Sequence, residues 1–137
     1  MDIMVNDYLI SDNKKLIQID RVHTLLKSTY WANNREIEVV QKSIQNSLCF
    51  GIYKDNIQIG FARCVTDFAV VYWLCDVVID NDYRSHGLGK ALIRTITEHE
   101  DLKSLSGILA TKDAHGLYEQ YGFIRDKDSF MRKKRPN

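Results

Sequence analysis

One stretch of this chain has the residue types and spacing to hold an anion. Val77-Val78-Ile79 is apolar and β-branched, and Asp80-Asn81-Asp82-Tyr83 is turn-forming. Arg84-Ser85-His86-Gly87-Leu88-Gly89-Lys90 then follows the pattern Arg-x-x-Gly-x-Gly and runs into an amphipathic helix from Leu88. Where a strand turns into a helix, the first N–H groups of the helix lack partners at the positive end of its dipole, which makes a seat for phosphate. Gly87 and Gly89 carry no Cβ, so backbone can approach an anion closely and take positive φ. The ligand class implied is a phosphorylated small molecule; the competing reading is an ordinary strand-to-helix turn. A Rossmann loop fits less well because Leu92 stands where its third glycine belongs, and a Walker A loop lacks Gly-Lys-Ser/Thr at the required spacing.

Composition narrows the classes further. A length of 137 residues fits one domain over 1–137, and 45% apolar with 27% charged residues is the balance of a globular chain that can bury a core. A formal net charge of +1 argues against a nucleic-acid partner, which needs a concentrated basic surface. The one basic run, Arg132-Lys133-Lys134-Arg135, reads as a solvated tail. No run approaches the roughly 20 apolar residues of a membrane span, and the polar residues among Met1 to Ile10 are unlike a signal peptide. Cys49, Cys64 and Cys75 are odd in number, lie in apolar runs and lack metal-ligand spacing. Reduced, buried thiols in a cytoplasmic protein with no metal site are therefore expected. The spacing of His86 and His115 does not suggest a metal either.

These residues need a scaffold, and hydrophobic periodicity supplies its outline. Val5 to Ser11 reads as a first strand. Ile19, Val22, Leu25, Leu26 and Tyr30 keep helical spacing, as do Ile37, Val40 and Ile44, with Asn33 or Asn34 expected to cap the second helix. Leu48 to Lys54 and Ile57 to Thr66 read as a hairpin across Asp55-Asn56. Val70 to Ile79 is β-branched and aromatic, with Asp76 its one formal charge, so a strand covered on both faces is expected. A helix from Leu88 follows, then a strand over Leu105 to Ala110, a helix over Ala114 to Tyr121 stopped by Gly122, and strands over Phe123 to Arg125 and Ser129 to Lys133. The strand–helix–strand between Val70 and Ala110 requires a crossover, so that part of the sheet should be parallel.

The glycine loop resembles the acyl-CoA site of the GNAT superfamily of N-acetyltransferases, whose fingerprint is Arg/Gln-x-x-Gly-x-Gly/Ala. A second stretch, Thr111-Lys112-Asp113-Ala114-His115-Gly116-Leu117-Tyr118-Glu119-Gln120-Tyr121-Gly122-Phe123, is similar to another recurrent element of that family. The resemblance covers roughly Leu48 to Phe123. It implies a single-domain α/β fold: a mixed, largely antiparallel twisted sheet with a central splayed parallel pair, flanked by helices. It implies acetyl-CoA as co-substrate, its pyrophosphate on Arg84, Ser85, His86, Gly87, Leu88, Gly89 and Lys90. The pantetheine arm would then pair with Val77, Val78 and Ile79. Thr111 stands where many relatives carry an asparagine that touches the arm. Tyr118 matches the tyrosine that protonates the departing thiolate. Asp76 matches an aspartate of polyamine acetyltransferases and would be the base or amine anchor, with a water chain as the alternative. Those enzymes carry a glutamate just before it, where this chain has Cys75, so their substrate is not carried over.

The implied reaction is acetyl transfer to a primary amine by direct attack, with no covalent carrier. The acceptor is a small-molecule or peptide amine, and Tyr30-Trp31, an aromatic pair at a helix end, could wall its pocket by cation–π contact. Dimers are common in the family, so a homodimer is one assembly the resemblance implies. Two readings compete: an acetyl-CoA-binding sensor or partner module without catalysis, and a nucleotide-binding domain without acyl chemistry.

Overall fold

The computed structural model describes residues 1–136. The sheet has six strands in sequential order: β1 (Asp2–Val5), β2 (Tyr8–Ser11), β3 (Leu48–Lys54), β4 (Ile57–Thr66), β5 (Val71–Ile79) and β6 (Ser106–Ile108). The first five pair antiparallel, while β5 and β6 run parallel, as the crossover through α3 (Leu88–Thr97) demands. Because no strand follows β6 among the described residues, the parallel pair expected at the centre lies at one edge of the sheet. Helices α1 (Ile19–Lys27) and α2 (Ile37–Gln45) precede β3, and a short α4 (His115–Glu119) follows β6.

Turn chemistry fixes the hairpins. Asp55 and Asn56 both take positive φ (50° and 66°), the primed turn whose twist matches paired strands. The expected strand over Val5 to Ser11 is instead a hairpin, because Asn6 tolerates φ 52° and folds β1 back onto β2. Neither Asn33 nor Asn34 caps α2. Its N-cap is Glu36, and the two asparagines lie in the preceding turn.

The sheet is covered on both faces. On one, Leu88, Leu92, Ile93 and Ile96 of α3 pack against Ile10, Phe50, Ile52 and Leu74. On the other, Val22, Leu25 and Leu26 of α1 and Val40 and Ile44 of α2 pack against Phe61 and Val78. The apolar stripes of the helices are what bind the layers.

The two strands expected after Gly122 do not form. Arg125 to Asp128 is a run of four charged residues, and Ile124 and Met131 are 86% and 92% exposed, so no face is available to bury against a neighbour. Gly122 does end α4, with φ 92°. Beyond it Phe130 stacks on Trp73, ring centroids 5.7 Å apart. Among the described residues no helix is long and apolar enough to cross a membrane.

Candidate active site

The parallel pairing of β5 with β6 lasts only from Val71↔Ser106 to Trp73↔Ile108. Beyond that point the strands part and open a cleft of about 890 Å³. One wall is β5 from Trp73 to Ile79. The other is Leu109 to Ala114 with Leu117 and Tyr118, and the α1–α2 loop at Ser28 to Trp31 borders it as well. Backbone groups of β5 that a sixth-strand partner would have used face this gap, which is where an amide-bearing arm can pair.

The glycine loop closes one end of the cleft. Asp80 starts its turn: the carboxylate accepts from the Asp82 N–H at 2.9 Å and from Arg21 Nη2 at 2.9 Å. The Asp82 N–H, and then Arg21, hold the Asp80 carboxyl below its ordinary range against the opposing effect of burial. Ser85 and Gly87 take positive φ (68° and 73°), and Gly87 is the N-cap of α3. The first intrahelical bond runs from the Ala91 N–H to the Gly87 carbonyl at 3.1 Å, so the N–H groups of Leu88, Gly89 and Lys90 precede it. Arg84, Ser85, Gly87, Leu88, Gly89 and Lys90 all line the cleft, as do Val77, Val78 and Ile79. His86 does not: its ring lies 6.4 Å from that of Tyr8, away from the cleft. His115 lines a neighbouring groove along β6 instead.

At the centre of β5 the register slips by one residue. Phe61 pairs with Val78 and Arg63 with Cys75, so Ala62 faces both Asp76 and Val77. Such a β-bulge flips every side chain beyond it to the other face. Accordingly Leu74 packs with α3, whereas Val78, four residues on, packs with α1 and α2. The bulged residue is Asp76, with φ 57°. Aspartate is among the few non-glycine residues that tolerate that region.

The Asp76 carboxylate is held by three donors. Oδ2 accepts from Arg35 Nη1 at 2.8 Å and from Arg63 Nε at 2.9 Å, and Oδ1 accepts from Trp31 Nε1 at 3.2 Å. Its side chain is 2% exposed. Arg63 also donates from Nη1 to Ser47 Oγ at 3.1 Å. Sequence reasoning missed both arginines, although a signal existed: Arg63 is a lone charge among the buried apolar residues of β4, as Asp76 is in β5. Charges that isolated in adjacent strands call for each other.

Tyr118 stands on the opposite wall, 9% exposed. Burial, then the nearby Asp113 and Tyr30, push its phenol up to about 12. Thr111 lines the cleft, and its Oγ1 accepts from the Ala114 N–H at 3.1 Å, tying the loop into α4. Tyr30 and Trp31 meet edge to face at 5.0 Å, and Lys112 reaches over the Tyr30 ring at 4.5 Å. The indole bond from Trp31 to Asp76 places the aromatic pair beside the carboxylate. Burial pushes the Cys49 and Cys75 thiols up to about 11 and Cys64 higher still, and all three cysteines are free. Among the described residues no group of His, Cys, Asp or Glu is gathered as a metal would require.

Comparison with known proteins converges on one family. The family described as "Acetyltransferase (GNAT) domain" matches residues 45–125. A crystal structure of a GNAT-family protein (xcc2953) from Xanthomonas campestris pv. campestris is 36% identical and superimposes with a TM-score of 0.90, covering 97% of this chain and 96% of that one. "Uncharacterized N-acetyltransferase ycf52" of the alga Gracilaria tenuistipitata var. liui is 30% identical over 133 residues, covering 91% of this chain and 71% of its own length. FG08082 of Gibberella zeae is 25% identical over 112 residues, and the match spans 67% of this chain but 63% of that protein.

Proposed function

Because this chain belongs to the GNAT superfamily of acetyltransferases, we propose that it transfers an acetyl group from acetyl-CoA to a primary amine by direct attack. The observation that carries this reading is the convergence of three features on one cleft. These are the parted β5–β6 pair, the glycine loop at one end, and the phenol of Tyr118 on the wall facing β5. A thioester whose pyrophosphate sat on Leu88 to Lys90 and whose arm followed Val77 to Ile79 would bring its carbonyl to the bulge at Asp76–Val77. There a backbone N–H near Val77 and Val78 would polarise the carbonyl as charge grows on its oxygen.

The amine nitrogen attacks the thioester carbon, the C–S bond breaks, and the proton lost by nitrogen balances the one gained by sulfur. Water in the open cleft carries the amine proton away. Tyr118, with a phenol near 12, is protonated throughout the neutral range and can donate to the sulfur as it leaves. Full transfer to a thiolate whose acid is near ~8.5 is uphill, so the hydrogen bond rather than net acidity is its main contribution. The raised thiols argue against a covalent acyl-cysteine, because a nucleophilic cysteine works as thiolate.

A thiol-release assay with acetyl-CoA and a panel of primary amines tests this reading. Tyr118→Phe is expected to lower turnover by at least ~10²-fold while acetyl-CoA affinity stays within about twofold. Equal turnover in the variant would remove Tyr118 from the chemistry. Saturable acetyl-CoA binding without release to any amine would favour the sensor reading.

A further inference from the structure

The buried carboxylate of Asp76 is the most heavily bonded side chain in the cleft, and its partners come from separate parts of the chain. Trp31 and Arg35 lie in the loop between α1 and α2, and Arg63 lies on β4. Arg63 extends the network to Ser47, the residue just before β3. A carboxylate offers about four lone-pair sites. Oδ2 has both of its sites engaged by guanidiniums, and one site of Oδ1 is engaged by an indole. The side chain shows 2% of its surface to solvent.

From this we infer that Asp76 is a positioning residue, not the base, and that the site it builds takes an amine with no second positive charge. The inference rests on the acetyltransferase reading above. The same side chain does two jobs. Its backbone, at φ 57°, makes the bulge that turns β5 at the thioester position. Its carboxylate ties the Trp31 loop against that bulge, so the acceptor wall and the thioester seat are held in one register.

Charge decides the acceptor class. One carboxylate between two guanidiniums leaves a net positive floor. Lys112 and Arg132 line the same cleft, and among the described residues Asp113, which is exposed, is the only other carboxylate lining it. The remaining titratable groups facing Asp76 are Cys49 on β3 and Cys75 on β5, both neutral because burial raises them to about 11. Among the described residues the cations Lys112 and Arg132 outnumber the single carboxylate Asp113, a balance that disfavours a second ammonium. Tyr30 and Trp31, 52% and 44% exposed, offer apolar surface to the body of a monoamine.

The test uses Asp76→Asn and Trp31→Phe in the full chain, with phenethylamine and spermidine as probe acceptors. Wild-type kcat/KM for phenethylamine is expected to exceed that for spermidine by at least ~10-fold. In Asp76→Asn, acceptor KM should rise by ~10-fold or more, while the shape of the pH–rate profile and acetyl-CoA affinity stay as in the wild type. Trp31→Phe, which removes one hydrogen bond, should raise KM in the same direction with little change in kcat. Acrylamide quenching of Trp31 fluorescence, with Trp31→Phe to subtract Trp73, should increase in Asp76→Asn. That readout needs no turnover, so it tests the clamp even if no amine is acetylated, an outcome that would count against the transferase reading alone. A lost ionisation limb with unchanged KM in Asp76→Asn, unchanged quenching, or a preference for spermidine would each overturn the inference.

Discussion

Replacing Gly89 by alanine should move stability and cofactor affinity in opposite directions. Gly89 is the second residue of α3, and a Cβ built there meets only Leu117 Cδ2, at 4.0 Å. The free protein therefore has room for the methyl group, and alanine is the better helix former by up to about 1 kcal/mol. A gain of about 0.5–1 kcal/mol corresponds to a rise in Tm of roughly 2–4 °C for a chain of this size. In the proposed acetyl-CoA pose the same methyl group would stand where a phosphate oxygen approaches the N–H groups of Gly89 and Lys90. Losing one charge-assisted hydrogen bond there costs about 1.5–3 kcal/mol, or roughly 10- to 100-fold in affinity. Gly87→Ala provides the contrast. Its Cβ meets nothing within 4 Å, but φ 73° makes any side chain strained, so it should lose about 1 kcal/mol of stability. Thermal unfolding and calorimetric titration with acetyl-CoA measure both quantities on the same samples. An alanine at 89 that binds acetyl-CoA as tightly as glycine would refute the assignment of this helix start to the pyrophosphate.

Other expectations concern the thiols and the core. With pKa near 11 in place of an ordinary 9.0, Cys49 and Cys75 should be alkylated at pH 8 at least ~100-fold more slowly than a free thiol, their rates climbing about tenfold per pH unit until pH approaches 11. Ordinary reactivity at pH 8, read by mass spectrometry, would show that burial does not govern them. Leu92→Ala, which truncates a side chain fully buried between α3 and the sheet, should destabilise the fold by about 2–5 kcal/mol in urea unfolding. A smaller loss would mean that the α3 layer collapses to fill the space.

How far the sequence could be read depended on whether a feature was local. The β3–β4 hairpin and α3 were legible because Asp55-Asn56 and the Leu88–Leu92–Ile96 stripe each encode their structure within a few residues. The glycine loop was legible for the same reason. The β1–β2 hairpin was missed because Asn6-Asp7 interrupts a run too short to show two periods. The C-terminal strands were overcalled because alternation alone cannot create a partner face for Arg125 to Asp128. The bulge at Asp76 left one trace, a charge in an apolar strand, but its meaning lay in Arg63 and in Arg35, 41 residues upstream. No window reading joins those residues. Only the folded sheet and the α1–α2 loop bring them together.

The proposed function requires that the cleft between β5 and β6 seat acetyl-CoA on the Arg84–Lys90 loop. The most direct measurement is calorimetric titration of acetyl-CoA into the purified protein, with ATP as the control titrant and Gly87→Glu as the control variant. Saturable binding of acetyl-CoA, absent with ATP and lost in a folded Gly87→Glu variant, is the expected result. No binding of acetyl-CoA by folded protein, or equal binding of ATP, would rule out this seat and leave the loop as a strand-to-helix turn or a nucleotide site.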